Sequence, residues 1–249
     1  MCDTCGCGDT KLVPVELHER LLADNDRTAA HNRAHFALHG VLAVNLMGSP
    51  GAGKTALLEA TARAAGTARR LAAITGDLET DRDALRLRGV GIPAEAITTG
   101  SACHLDADMV HHALHHGAAH GADTLFIENV GNLVCPAIYD LGQAAIVVAL
   151  SVTEGEDKPL KYPVMFRKAD LVLLTKVDLL PALPDFDRGA LEEALARVMP
   201  APRLLDVSAR NGTGIAEWVA FLDARRGDAA GVAASRGAHE THQSMTRGA

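Results

Sequence analysis

Apolar residues cluster in short runs along the chain, at Val41–Met47, Leu71–Ile74, Thr124–Ile127, Ala145–Leu150, Leu171–Leu174 and Leu204–Val207, and helix-like stretches separate them. Near-continuous apolar runs alternating with helices are the pattern of strands buried on both faces of a parallel sheet. The expected fold is therefore α/β, a doubly wound and mostly parallel sheet. Upstream, roughly Val15 to Leu38 reads as a polar-rich helix carrying His18, His31 and His35. Downstream of the amphipathic stretch Ile215–Arg226, the only large apolar residues are Val232 and Met245, too few to offset the entropy of ordering. The expected organisation is a cysteine-rich tip over residues 1–10, a helical linker over 11–39, a single α/β domain over 40–226 and a disordered tail over 227–249. No long internal repeat is present.

The first apolar run ends in Gly48-Ser49-Pro50-Gly51-Ala52-Gly53-Lys54-Thr55, and a helix-like stretch follows it. Strand, glycine-rich loop and helix in that order form a P-loop, whose backbone N–H groups curl around phosphates at a helix N-terminus. Lys54 is expected to touch the β- and γ-phosphates. The Thr55 hydroxyl is expected to ligate Mg²⁺, which prefers oxygen donors. A glycine-rich turn that binds nothing is the competing reading, and the full eight-residue match argues against it. Glu128 ends a buried strand and Asp77 another, so both are candidates to serve the metal or the attacking water, with Asp83 behind Asp77. Gly131 lets backbone approach the γ-phosphate. No Gln stands in an obvious water-positioning place, which implies slow intrinsic hydrolysis. Either aspartate, like Asp178 below, could instead be a helix cap.

Base selection rests on Thr175-Lys176-Val177-Asp178, at the carboxyl end of an apolar run where open α/β sheets bind ligands. A carboxylate there accepts both the N1–H and the amino protons of guanine, a donor pair that adenine lacks, so Asp178 points to GTP. Lys176 is expected to lay its stem along the base. Ser208-Ala209-Arg210, after the last run, suits a supporting role at the same base.

With 249 residues and 48% apolar content the chain can bury one sizeable core. A formal charge of −7 supplies no basic stripe and argues against nucleic acid as a partner. No run is long enough to span a bilayer, and the first long apolar run starts too late for a signal peptide, so a cytoplasmic protein without a membrane partner is expected. Of five cysteines, Cys2, Cys5 and Cys7 crowd into the amino terminus. In a reducing compartment such thiols are metal ligands more readily than disulfides. Three thiolates and the terminal amine suit square-planar Ni(II), although copper(I), zinc or an iron–sulfur cluster also takes thiolates. An unstructured end that holds no metal is the bland alternative.

Cys103-His104 and Cys135 supply a second group of soft donors, and Cys135 lies in the loop after Glu128, just beyond Gly131. If that loop moves with the γ-phosphate, metal affinity and nucleotide state are coupled, and each alters the other's binding. Buried, inert thiols are the alternative. Asp106 is expected to cap a helix with Met109, Val110, Ala113, Leu114 and Gly117 on one arc and His111, His112, His115 and His116 on the other. The pairs His111/His115 and His112/His116 have the i, i+4 spacing at which two imidazoles share a metal, or they form a solvated face.

Taken together, Cys2-Asp-Thr-Cys-Gly-Cys7, the P-loop, Cys103-His-Leu-Asp106, Glu128-Asn-Val-Gly-Asn-Leu-Val-Cys135-Pro and Ser151 through Lys161 resemble the HypB-type nickel-incorporation GTPases of nickel–iron hydrogenase maturation. The resemblance runs from Cys2 to about Leu222. It implies a SIMIBI-class P-loop GTPase that dimerises with nucleotide and uses GTP/GDP with Mg²⁺. It further implies a Ni²⁺ site at Cys2, Cys5 and Cys7, and a nickel or Zn²⁺ site at Cys103, His104 and Cys135. The implied partners are a HypA-type metallochaperone and the hydrogenase large subunit precursor. Two departures stand out: Thr175 replaces the usual Asn of the guanine motif, and the segment before Val41 lacks a long histidine run. A GTP-switched metal sensor and a urease-type nickel GTPase are the competing functions, with a generic ATP-using enzyme behind them.

Overall fold

The structure, a computed structural model, describes residues 15–227. The cysteine-rich tip with Cys2, Cys5 and Cys7, and residues 228–249 of the expected tail, lie outside the described residues.

Seven strands form one sheet, parallel at every pairing: β1 (Leu42–Met47), β2 (Leu71–Asp77), β3 (Ala94–Thr98), β4 (Thr124–Glu128), β5 (Ala145–Ser151), β6 (Leu171–Thr175) and β7 (Leu204–Val207), in the spatial order β3-β2-β4-β1-β5-β6-β7. Six of these cover the apolar runs. The seventh, β3, is an edge strand paired only with β2, and its sequence Ala-Glu-Ala-Ile-Thr has one large apolar residue. None of its side chains is fully buried, and Glu95 and Thr98 interrupt the apolar positions, so it leaves a weak pattern in the sequence.

Helices cover both faces: α1 (Val15–His39), α2 (Lys54–Ala65), α3 (Arg82–Gly89), α4 (Ala107–His115), α5 (Lys158–Lys161), α6 (Pro163–Lys168), α7 (Arg188–Val198) and α8 over residues 215–227. The pleat of β1 shows how the core is divided. Leu42, Val44 and Leu46 pack with Leu57 and Leu58 of α2 and with Trp218 and Leu222 of α8, whereas Ala43 packs with Phe36 of α1 and Val110 and Ala113 of α4. Every side chain of β1 is buried, as a central parallel strand requires. Trp218 is fully buried, and its indole N–H donates to Thr61 Oγ1 at 2.9 Å, so its polar atom is satisfied.

Two buried asparagines fix α1 on the domain. Asn25 accepts from the Ala107 N–H at 2.9 Å and donates to Asp140 O at 2.9 Å, while Asn32 donates to Ala107 O at 2.8 Å and Leu141 O at 3.2 Å. Each satisfies backbone groups at the start of α4 that would otherwise be buried unpaired. No described helix is long and apolar enough to cross a membrane.

Candidate nucleotide and metal site

The loops that follow β1, β2, β4, β5 and β6 meet at the carboxyl edge of the sheet, where the strand order reverses on either side of β1. There the P-loop turns through Gly48, Gly51 and Gly53, all at positive φ. A side chain at Gly48 would put Cβ 2.5 Å from Ala149 O, so this position admits only glycine. Helix α2 then begins at Lys54 with Gly53 as its left-handed cap and no side-chain capping bond. Its first N–H groups therefore face an open cavity and suit an anion.

That cavity has a volume of about 800 Å³, and its walls include Lys54, Thr55, Asp77, Asp83, Glu128 and Gly131. Lys54 is buried, and its ammonium donates to Gly48 O at 3.1 Å and Ser49 O at 3.2 Å. Burial lowers its pKa, against the opposing pull of Glu128, Asp83, Glu154 and Asp77. Thr55 Oγ1 lies 2.8 Å from Glu128 Oε1 and 2.9 Å from Asp83 Oδ1. A hydroxyl has one proton to give, so it cannot donate to both carboxylates. The two carboxylates therefore compete for it, which leaves one of their oxygens for another donor or a cation. Burial raises the Glu128 pKa to about 7, offset in part by the Thr55 bond and by Lys54. The second carboxyl oxygen, Oε2, is buried without any partner.

Oxygen donors, a carboxyl that ionises only at a cost and an orphaned buried oxygen fit a hard divalent cation such as Mg²⁺. Asp77 is differently employed. Its Oδ1 accepts from the Glu79 N–H at 3.0 Å, the Thr80 N–H at 2.8 Å and the Thr80 hydroxyl at 3.3 Å, and these bonds, the Glu79 one foremost, lower its pKa. Of the two aspartates it is Asp83 that touches Thr55, while Asp77 braces its own turn.

The raised Glu128 pKa has a measurable consequence. Below its ordinary value of 4.5 the group is protonated folded and unfolded alike; between 4.5 and about 7 only the unfolded chain releases the proton, so stability falls as pH rises. Above about 7 the nucleotide-free fold carries the whole cost, roughly 3 kcal/mol. Glu128→Gln is expected to stabilise the nucleotide-free protein at pH 8 and to change it little at pH 4.5. Thermal melts of both proteins across that range, without Mg²⁺ or nucleotide, check this; parallel curves contradict it.

A second cavity of about 310 Å³ adjoins the first at Gly53 and is lined by Thr175, Lys176, Asp178, Ala209 and Arg210. Thr175 donates its hydroxyl to Ala52 O at 2.6 Å and so ties the end of β6 to the P-loop. Lys176 takes the left-handed conformation at φ 60°, and a Cβ at Gly53 would lie 3.8 Å from its Cε. Buried Ser208 donates to Asp178 Oδ1 at 2.6 Å. That bond holds the carboxylate edge toward the cavity, where Oδ2 and the remaining lone pairs suit the donor edge of guanine.

Cys103, His104 and Cys135 also converge. Their ligand atoms all lie within 4.8 Å of one another, in a half-buried setting. Cys103 and His104 sit in the turn between β3 and α4, which Asp106 caps by accepting from the Met109 N–H at 2.8 Å. Cys135 opens a short 3₁₀ turn over Cys135–Ala137. The thiol contact with Cys103 and burial raise the Cys135 pKa, and burial lowers that of His104, whose ring stacks on Tyr139 at 3.9 Å. A neutral imidazole and two thiols that a cation would deprotonate make a soft, three-donor set.

Sequence patterns gave no role to Asn129 and Asn132, which join the two centres. The Asn132 backbone pairs with Gly48 of the P-loop, and its side-chain amide donates to Cys103 O at 3.2 Å. Asn129 accepts from the Leu105 N–H at 3.0 Å. Gly131, between them, stands so close to the P-loop that an added Cβ would meet Pro50 at 2.9 Å. Glu154 was quoted only as part of a motif; it accepts from the Ser49 hydroxyl and, at 2.9 Å, from the Ser151 N–H.

Residues 42–205 match the family described as CobW/HypB/UreG, nucleotide-binding domain. The hydrogenase maturation factor HypB of Azotobacter vinelandii is 52% identical over 222 residues, covering 89% of this chain and 72% of that protein. The chain belongs to the HypB branch of this family. HypB of Escherichia coli K12 is 45% identical over 221 residues, covering 89% of this chain and 75% of that protein. The crystal structure of Helicobacter pylori HypB in complex with nickel superposes with a TM-score of 0.77 at 39% identity, covering 82% of this chain and 96% of that one. As a HypB-family P-loop protein, this chain carries a nucleotide-binding domain.

Proposed function

We propose that this chain is a GTP-hydrolysing nickel carrier that loads a nickel–iron hydrogenase during its maturation. The observation that carries the reading is Asn132, which touches Gly48 of the phosphate loop with its backbone and Cys103 of the thiol cluster with its side chain. A phosphate that shifts this loop shifts Cys103 relative to Cys135. The two sites then share one two-state element, and each ligand biases the other.

Asp178, buttressed by Ser208, selects guanine; Ala209 and Arg210 complete that wall, and Lys176 covers the base. Gly48, Ser49, Gly51, Ala52, Gly53, Lys54 and Thr55 wrap the phosphates, and Gly131 lets the loop approach the terminal one. Thr55 and Glu128, with Asp77 or Asp83, would hold Mg²⁺, which when bound neutralises charge on the β- and γ-phosphates. Lys54 stabilises the charge that develops as the γ-phosphate departs. Asp77, held ionised by its turn bonds, orients the attacking water. Three soft donors at Cys103, His104 and Cys135 leave an open position, which suits a cargo ion that must leave, Ni²⁺ or Zn²⁺. Cys2, Cys5 and Cys7 form the tighter nickel site of the amino-terminal segment. A nucleotide-dependent homodimer, a HypA-type donor and the hydrogenase large subunit precursor, all in the cytoplasm, complete the proposal; the relatives' role as hydrogenase maturation factors supports the hydrogenase target.

The test is delivery. Full-length protein loaded with radioactive nickel and GTP is expected to transfer metal to a purified large-subunit precursor, and the same protein with a non-hydrolysable GTP analogue is expected to retain it. Equal transfer with both nucleotides would sink the proposal.

A further inference from the structure

We propose that His111 and His115 of α4 form a separate binding site for a borderline divalent cation, Zn²⁺ or Ni²⁺, on the outer face of the domain. The two α4 imidazoles present Nε2 to Nε2 at 3.0 Å. Two nitrogens bound at 2.0–2.1 Å to one such ion stand about 3 Å apart, so the pair already has the spacing of adjacent ligands.

The buried network beneath them sets the tautomer. Asn32 is fully buried and spends both amide protons on the Ala107 and Leu141 carbonyls, at 2.8 and 3.2 Å. Its Oδ1 is therefore the atom that faces His111 Nδ1 at 3.0 Å, and Oδ1 can only accept. Nδ1 of neutral His111 must carry the proton, which leaves the Nε2 lone pair aimed at His115. Such a carbonyl contact behind the imidazole is the usual orienting partner of a metal-ligating histidine. Without a cation, His115 fills the lone pair with its own Nε2–H. Uptake of a cation needs only that this proton move to Nδ1 of His115 through water, and neither ring changes charge.

The other histidine pair of α4 is already engaged: His112 lies 3.5 Å from Asp108 and His116 lies 3.4 Å from Glu95. Of the two i, i+4 pairs that the sequence offers, the packing of α1 selects one. This site shares no residue with Cys103, His104 and Cys135 and sits roughly 6–12 Å along α4 from its first residue. Partial exposure and coordination completed by water make it an exchanging site.

The test uses the full chain with all five cysteines changed to serine, dialysed separately against Zn²⁺ and Ni²⁺, with bound metal counted by elemental analysis. Residual binding of either ion is expected to weaken at least tenfold with His111→Gln plus His115→Gln and to be unchanged with His112→Gln plus His116→Gln. Nitrogen-15 spectra of wild-type protein provide a check that does not depend on the variants folding. Metal-free His111 is expected as the Nδ1–H tautomer, and metal is expected to shift Nε2 of His111 and His115 together. Retained affinity in the first double variant, no residual binding, or unmoved Nε2 signals in the wild type would each overturn the site.

Discussion

Lys54→Ala is expected to lower single-turnover GTP hydrolysis by about 10²–10³-fold, the usual effect of deleting one preorganised charge at the transition state. The side chain is buried, and its ammonium rests on the Gly48 and Ser49 carbonyls at the centre of the phosphate cavity. Alanine leaves those carbonyls to face the phosphates and removes the cation that opposes Glu128 and Asp83. Quenched-flow release of phosphate measures the loss, and a thermal melt separates it from unfolding. Turnover within threefold of wild type would remove Lys54 from the mechanism.

The second large effect is expected at Asp178. An amide in place of the carboxylate offers a donor where guanine also offers donors, so Asp178→Asn is expected to weaken GTP by roughly 10²-fold, about 3 kcal/mol, and to strengthen XTP by a similar factor. Xanthine presents a carbonyl where guanine has its amino group, and the new amide can donate to it. Ser208 still has an oxygen at position 178 to which it can donate, so the wall is expected to stay in place. Competition titrations with GTP, XTP and ATP check this. Unchanged guanine preference would mean that another group reads the base.

Much of this architecture was legible in the sequence because buried parallel strands write apolar runs and phosphate loops write glycines. The six expected runs all became strands, and Asp106 caps α4 with Val110, Ala113 and Leu114 buried beneath. Strand β3 was not legible, because Glu95 and Thr98 interrupt its apolar positions. Nor was the grip of Asn25 and Asn32 on α4, since polar residues inside a helix carry no mark of the backbone groups they will satisfy. Thr175 in place of the usual Asn has a local reason: its hydroxyl reaches Ala52 O at 2.6 Å, joining the base wall to the phosphate loop. The position of Cys135 after Gly131 marks in the sequence a thiol on the loop beside the phosphate loop. The residue that makes the contact, Asn132, is visible only in three dimensions.

Coupling requires that the metal affinity of the Cys103–His104–Cys135 cluster change with nucleotide state. In a chain with Cys2, Cys5 and Cys7 changed to alanine, Ni²⁺ affinity is to be titrated with GDP and with a non-hydrolysable GTP analogue, in the presence and absence of Asn132→Ala. A five- to 150-fold difference between the nucleotides is expected, the range of ordinary coupling energies, collapsing toward unity in the Asn132 variant. The same Ni²⁺ affinity with both nucleotides in the chain that retains Asn132 would contradict the coupling.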